Sequence, residues 1–228
     1  MRTESRHIPH GEGHIRAVIA TPPPEVPGQS LTILLAHGAG GDMDTPLLAT
    51  VHQGLADHGF TAIKFNFPYR DRGRRAPDPA PTLESAYRAV LAAAREWNPS
   101  HRIVVGGKSM GGRIATHLAA AGAQVDGVVL LGYPLHPARK PEKRRVAHLP
   151  AIRVPMLFIA GTRDALADLP LLRETLTPLT VPITLHVIEG ADHSFKLPRS
   201  LGRSDEEIGD EITTTIAGWC TRLCAGAA

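Results

Sequence analysis

Short, wholly apolar runs alternate along this chain with longer stretches in which apolar residues recur every three to four positions. The short runs read as strands buried on both faces, and the longer stretches as helices with one face against a core. Ile15, Ala17 and Ile19 predict an early strand that stops at Pro22-Pro23-Pro24. Leu31 to Ala36 predicts a buried strand ending in His37-Gly38-Ala39-Gly40-Gly41. Thr45 as cap and Pro46 at the first helical position open a helix with the stripe Leu47, Leu48, Val51 and Leu55, which Gly59 ends. Ala62 to Phe67 predicts the next strand, followed by a Pro/Arg-rich loop through Pro81.

Leu83, Ala86, Tyr87, Val90, Leu91, Ala94 and Trp97 mark a long amphipathic helix. Ile103 to Val105, Val128 to Leu131, Met156 to Ala160 and Ile183 to Ile188 predict further strands, with a helix from Arg113 to Ala121 after the first. Ser204-Asp205-Glu206-Glu207 has the form of a capping box for a terminal helix that carries Ile208, Ile212, Ile216, Trp219 and Leu223 on one face. This alternation predicts an α/β fold with a mostly parallel sheet and helices on both faces. No repeat, low-complexity tract or composition break divides the chain, so a single domain over 1–228 is expected.

Composition narrows the functional classes. The 228 residues are 43% hydrophobic and 21% charged, with 22 Gly and 20 Pro, which is ordinary for a globular domain. Aromatics make up only 4%, so the core must be built from Ala, Val, Ile and Leu. No run approaches the roughly 18 apolar residues of a membrane span, and Met1 to Arg16 is too polar and His-rich for a signal peptide. Net charge is +3. The basic clusters at Arg70 to Arg75 and Arg139 to Arg145 lack interleaved aromatics, so no nucleic-acid partner is expected. Cys220 and Cys224, one helical turn apart, read as reduced thiols of a cytoplasmic protein; no metal site is expected.

The candidate chemistry begins at Gly107-Lys108-Ser109-Met110-Gly111, a G-x-S-x-G pattern lying between a strand and a helix. That context holds a serine on a sharp turn with its hydroxyl exposed above the sheet. A nucleophile there requires a base, an acid and two oxyanion donors. His193, in Gly190-Ala191-Asp192-His193-Ser194-Phe195, follows the last strand and is the expected base. His186 lies inside that strand and His117 on a helix face. Asp164, in Gly161-Thr162-Arg163-Asp164, is the expected acid, since Gly132-Tyr133-Pro134 after the preceding strand offers no carboxylate. Asp192 and Asp168 are the competitors; the first adjoins the histidine and the second falls in the following helix. Oxyanion donors are expected at Met110 and at Ala39, with Gly40 as second choice.

The order Ser109, Asp164, His193 is that of α/β-hydrolases, and it predicts acyl transfer through an acyl-serine with no cofactor. The expected substrate is a small-molecule carboxylic ester or thioester. The alternative is a hydrolase-fold interaction module with little or no turnover. His37, Tyr69, Lys108 and Arg113 are candidate substrate contacts; recognition of an anionic group competes with structural ion pairs of Lys108 and Arg113. Gly132 to Pro155 is too short for more than a small lid, so little or no cap domain is expected.

The motif Gly106-Gly107-Lys108-Ser109-Met110-Gly111-Gly112-Arg113, with lysine before the serine, resembles the KANL3/Tex30 group of α/β-hydrolase-like proteins. So do Phe65-Asn66-Phe67-Pro68-Tyr69, Gly132-Tyr133-Pro134-Leu135-His136-Pro137, Gly161-Thr162-Arg163-Asp164 and the Gly190 to Phe195 segment. The resemblance spans nearly the whole chain and implies the α/β-hydrolase fold with a Ser–Asp–His triad. Dienelactone-hydrolase-type proteins are broader relatives, commonly with cysteine as nucleophile where this chain has Ser109.

Overall fold

The computed structural model of the protein describes residues 2–226; Met1, Ala227 and Ala228, the ends of the expected 1–228 domain, lie outside them. In chain order the elements are β1 (Arg2–His10), β2 (Gly13–Thr21), β3 (Leu31–Ala36), α1 (Pro46–Asp57), β4 (Thr61–Phe65), α2 (Pro68–Asp71), α3 (Ala80–Trp97), β5 (Arg102–Lys108), α4 (Met110–Ala120), β6 (Gly127–Leu131), β7 (Met156–Gly161), α5 (Leu169–Leu176), β8 (Ile183–Ile188) and α6 (Asp205–Cys224). The eight strands form one sheet in the order β1-β2-β4-β3-β5-β6-β7-β8. β1 pairs antiparallel with β2, and β2 with β4; from β4 onward all pairings are parallel.

Helices cover both faces. On one side Leu48, Val51 and Leu55 of α1, with Ile212, Ile216 and Trp219 of α6, pack on Ile33, Leu35, Val104 and Val129. On the other, Leu83, Tyr87 and Val90 of α3, with Ile114 and Leu118 of α4, pack on Leu34, Val105 and Leu130. This explains why the central strands are apolar without alternation: each fully buried Leu, Ile or Val contributes about 1.5–3 kcal/mol from either face. The register aligns Ala36 with Gly107 and Lys108 with Leu131, so β3, β5 and β6 end on the same edge of the sheet. Catalytic groups on an open α/β sheet gather at that edge.

The structure departs from the expectations in four places. The polar N-terminal stretch is strand β1, whose only buried residue is Ile8; an outermost strand largely open to water carries no apolar alternation to read. The strand expected to run to Phe67 ends at Phe65, and α2 occupies the start of the expected Pro/Arg-rich loop. Thr45 precedes α1 without a side-chain cap; its hydroxyl donates instead to Asp42 O. Asp168 is not inside α5 but caps it, accepting the Leu171 N–H. The Ser204 and Glu207 capping box of α6 forms as expected. Between β6 and β7 lies loop with a single 3-10 turn, Leu149–Ala151, and no cap domain.

Candidate active site

Ser109 stands between β5 and α4 with φ 50° and ψ −113°. A residue with a Cβ is strained there by about 1–3 kcal/mol, and such a conformation persists only where the surroundings hold it. Ser109 N donates to Leu131 O at 2.9 Å, and Ser109 O accepts from Arg113 N at 3.0 Å. The strand and helix pass so close that a Cβ on Gly107 would lie 2.2 Å from Ala36 O, and one on Gly111 2.3 Å from the same atom. Below the turn, the fully buried Tyr87 phenol accepts the Gly106 N–H at 2.8 Å, which fixes the strand just ahead of the serine.

His193 Nε2 lies 2.8 Å from Ser109 Oγ. On its other side Nδ1 lies 2.9 and 2.8 Å from the two oxygens of Asp164, whose side chain is buried. A nitrogen facing a carboxylate must carry the proton, so Nδ1 donates and Nε2 presents its lone pair to the Ser109 hydroxyl. Asp164 is itself fixed by the Leu166 N–H at 2.8 Å. Asp192, the competing acid, points elsewhere: its Oδ1 accepts the N–H groups of Ser194 and Lys196 at 2.7 and 3.0 Å and so holds the histidine loop in its turn.

The loop after β3 closes on itself through Gly41 N–H to Gly38 O at 3.3 Å, leaving Ala39 and Gly40 as the exposed centre of the turn. A Cβ on Gly38 would stand 3.6 Å from Ser109 Cβ, so this turn borders the serine. Met110 is the first residue of α4, and its N–H has no partner four residues back within the helix. Ala39 and Gly40 line the same cleft as Ser109, and Met110 follows Ser109 directly in the chain.

A cleft of about 1000 Å³ opens over Ser109 and His193. It runs between α1 and the start of α6, with Leu47, Leu48, Leu166, Phe195 and Ile208 on its walls. These wall residues come from four separate segments, and no local signal marked them in the sequence.

Of the four candidate substrate contacts, only Lys108 lines the cleft. It makes no ion pair among the described residues. Burial pulls its pKa down to about 8, against the opposing pull of Asp164 and Asp192. His37 is fully buried: its Nε2 accepts the Phe67 N–H at 3.0 Å and its Nδ1 donates to Gly38 O at 2.8 Å. Burial also lowers its pKa, in keeping with the neutral ring those two bonds require. Tyr69 is equally buried and donates to Ala39 O at 3.1 Å; burial pushes its phenol up to about 12. Both side chains hold the loop rather than face the cleft. Arg113 lies along α4 with Nη1 3.3 Å from His117 Nε2 and makes no ion pair among the described residues. The expected structural pairs of Lys108 and Arg113 are thus not formed.

Comparison with known proteins agrees with this architecture. A family described as "Alpha/beta hydrolase domain" matches residues 29–221. A curated relative from Pongo abelii, named "Putative protein-lysine deacylase ABHD14B", is 32% identical over 142 residues, 60% of this chain. The match spans 63% of that relative, less than two thirds of its length. Among solved structures, an a/b serine hydrolase without lid from Xanthomonas campestris aligns with a TM-score of 0.75 at 19% identity, over 95% of this chain and 94% of the other. A dienelactone hydrolase from Anabaena variabilis aligns at 0.73 and 21% identity, over 97% of each chain. With its fold, its strand-end site and the family match over most of its length in agreement, the chain belongs to the alpha/beta hydrolase family.

Proposed function

We propose that the protein is a serine hydrolase that cleaves a carboxylic ester or thioester through an acyl-serine intermediate. The observation that carries this reading is the continuous chain Ser109 Oγ, His193 Nε2, His193 Nδ1 and Asp164, joined by contacts of 2.8 to 2.9 Å. In the mechanism, Ser109 Oγ attacks the carbonyl carbon while His193 Nε2 takes its proton. Asp164 stabilises the imidazolium and fixes its orientation. The N–H groups of Met110 and Ala39, with Gly40 as alternative, stabilise the tetrahedral oxyanion. His193 then returns the proton to the leaving alcohol or thiol. Water, deprotonated by the same nitrogen, releases the acid and restores the serine.

The open, largely apolar cleft favours a short acyl group or an exposed ester over a long lipid chain. The lysine before the nucleophile and the segments matching it support a place in the KANL3/Tex30 group. The printed name of the Pongo abelii relative adds an acylated lysine side chain to the compounds to be tried.

A fluorophosphonate probe tests the reading without a known substrate. Wild type should be labelled once per chain, and Ser109→Ala not at all. For any ester found to turn over, Ser109→Ala or His193→Ala should cost about 10³–10⁶-fold in kcat. Folded wild type that takes up no label would leave the interaction-module reading in its place.

A further inference from the structure

Lys108 lies partly buried where the end of β6 meets the histidine loop. A Cβ on Gly132 would stand 3.1 Å from Lys108 Nζ, 3.4 Å from His193 O and 3.5 Å from Asp164 Oδ2. The ammonium, the carboxylate and the histidine loop therefore border one small space. Lys108 Nζ also sits 5.4 Å from the centre of the Phe195 ring. No carboxylate among the described residues comes within the about 4 Å of a contact ion pair with it.

Asp164 lies on the Nδ1 side of His193, while Asp192, the preceding residue, turns its Oδ1 to the Ser194 and Lys196 N–H groups. Nearby negative charge favours an imidazolium. A general base has to be a free imidazole at working pH. The Lys108 ammonium borders the same small space as the Asp164 carboxylate. We infer that the Lys108 ammonium offsets part of the Asp164 charge that His193 faces, so that losing the ammonium favours the imidazolium. Lys108 is then a positioning residue that acts through the Asp164–His193 pair rather than by touching substrate. The inference rests on the serine-hydrolase reading above.

The neighbouring groups leave this role to Lys108. Lys196, in the histidine loop, is engaged with Asp205. Tyr133, beside Gly132, is pushed up to about 12 by burial and stays neutral. His37, under the oxyanion loop, is held neutral by burial and by its two bonds. With its own pKa near 8, Lys108 is largely charged at neutral pH despite its burial.

The test is the rate of fluorophosphonate labelling against pH for wild type, K108M and K108R. In K108M the acid limb should move to higher pH by about half to one unit, because a like charge near the imidazole has been removed. K108R keeps the charge and should keep the wild-type limb. A K108M limb that coincides with the wild-type limb overturns the inference. So does a variant that changes only KM for a carboxylate-bearing ester with the limb fixed, since Lys108 would then contact substrate. A K108M that unfolds at the wild-type temperature but labels at no pH also overturns it, since a displaced limb leaves the rate at high pH intact. If neither labels though both unfold at the wild-type temperature, the lysine's shape is what matters and the inference fails. Wild type that does not label at any pH removes the serine-hydrolase reading itself.

Discussion

The Nε2 of His37 accepts the Phe67 N–H at 3.0 Å, which ties the loop after β3 to the chain leaving β4. The same ring donates to Gly38 O, and Tyr69 from α2 holds Ala39 O. Two buried side chains thus place the exposed turn that borders Ser109, although neither faces the cleft.

Replacing His37 with Ala should therefore act on both stability and rate. It leaves the buried Phe67 N–H without a partner, at a cost of about 1–3 kcal/mol, while Gly38 O keeps the Gly41 N–H. If the turn also supplies an oxyanion donor, kcat on a chromogenic acetate ester should fall about 10²-fold with KM little changed. A variant with a lowered Tm and an unchanged kcat would show that the turn keeps its place without the ring.

The same kind of burial sets a pH dependence. His52 on α1 is 3% exposed and donates from Nε2 to Val18 O at 3.0 Å. Burial, with Lys64 second, lowers its pKa from 6.5 to about 4. The unfolded chain binds this proton first as pH falls, so the stability is complete above about pH 6.5 and is lost down to about pH 4. The shift corresponds to about 3 kcal/mol from this one group. His148, lowered to about 4 by burial and by its neighbours His117 and Arg113, adds to the same window. Urea unfolding at several pH values should show the decline in wild type. His52→Gln retains an N–H donor and should remove its share of the slope while leaving that of His148. An unchanged slope would remove His52 from the account.

Much of this architecture is legible in the chain because its causes are local. β3 and β8 run from Leu31 to Ala36 and from Ile183 to Ile188, with the ends expected from their apolar runs. The α6 capping box is read from four consecutive residues. β1 escapes because only one of its residues is buried, and α2 because Pro68 begins a single turn inside a loop-like composition. The parts of Ser109, His193 and Asp164 follow from strand order, and the structure brings the three together. His37 and Tyr69 illustrate the opposite case. Polar residues beside a glycine turn look like cleft contacts until their tips are seen to be taken by backbone groups of other segments. The cleft walls are not legible for a related reason: α1 and α6 meet only through the fold.

Beneath Ser109 the first turn of α4 passes close to the end of β3. A Cβ on Gly111 would meet Ala36 O at 2.3 Å, Ala36 C at 2.6 Å and His37 O at 2.7 Å. All three are backbone atoms, so no flexible side chain can move aside. Gly111→Ala must push the first turn of α4 away from the end of β3, at a cost of about 1–3 kcal/mol from overpacking. The displacement separates Met110 from the Ala39 turn across Ser109, and a shift on the order of 1 Å between such groups costs about 10²-fold in rate. Gly28, between β2 and β3, has open space where its Cβ would go, and Gly28→Ala is the matched control with unchanged Tm and kcat. Measuring labelling rate and Tm for both variants separates the two effects. At a temperature where Gly111→Ala is fully folded, its labelling should still be slow. A wild-type rate there would mean that α4 and β3 adjust without disturbing the site.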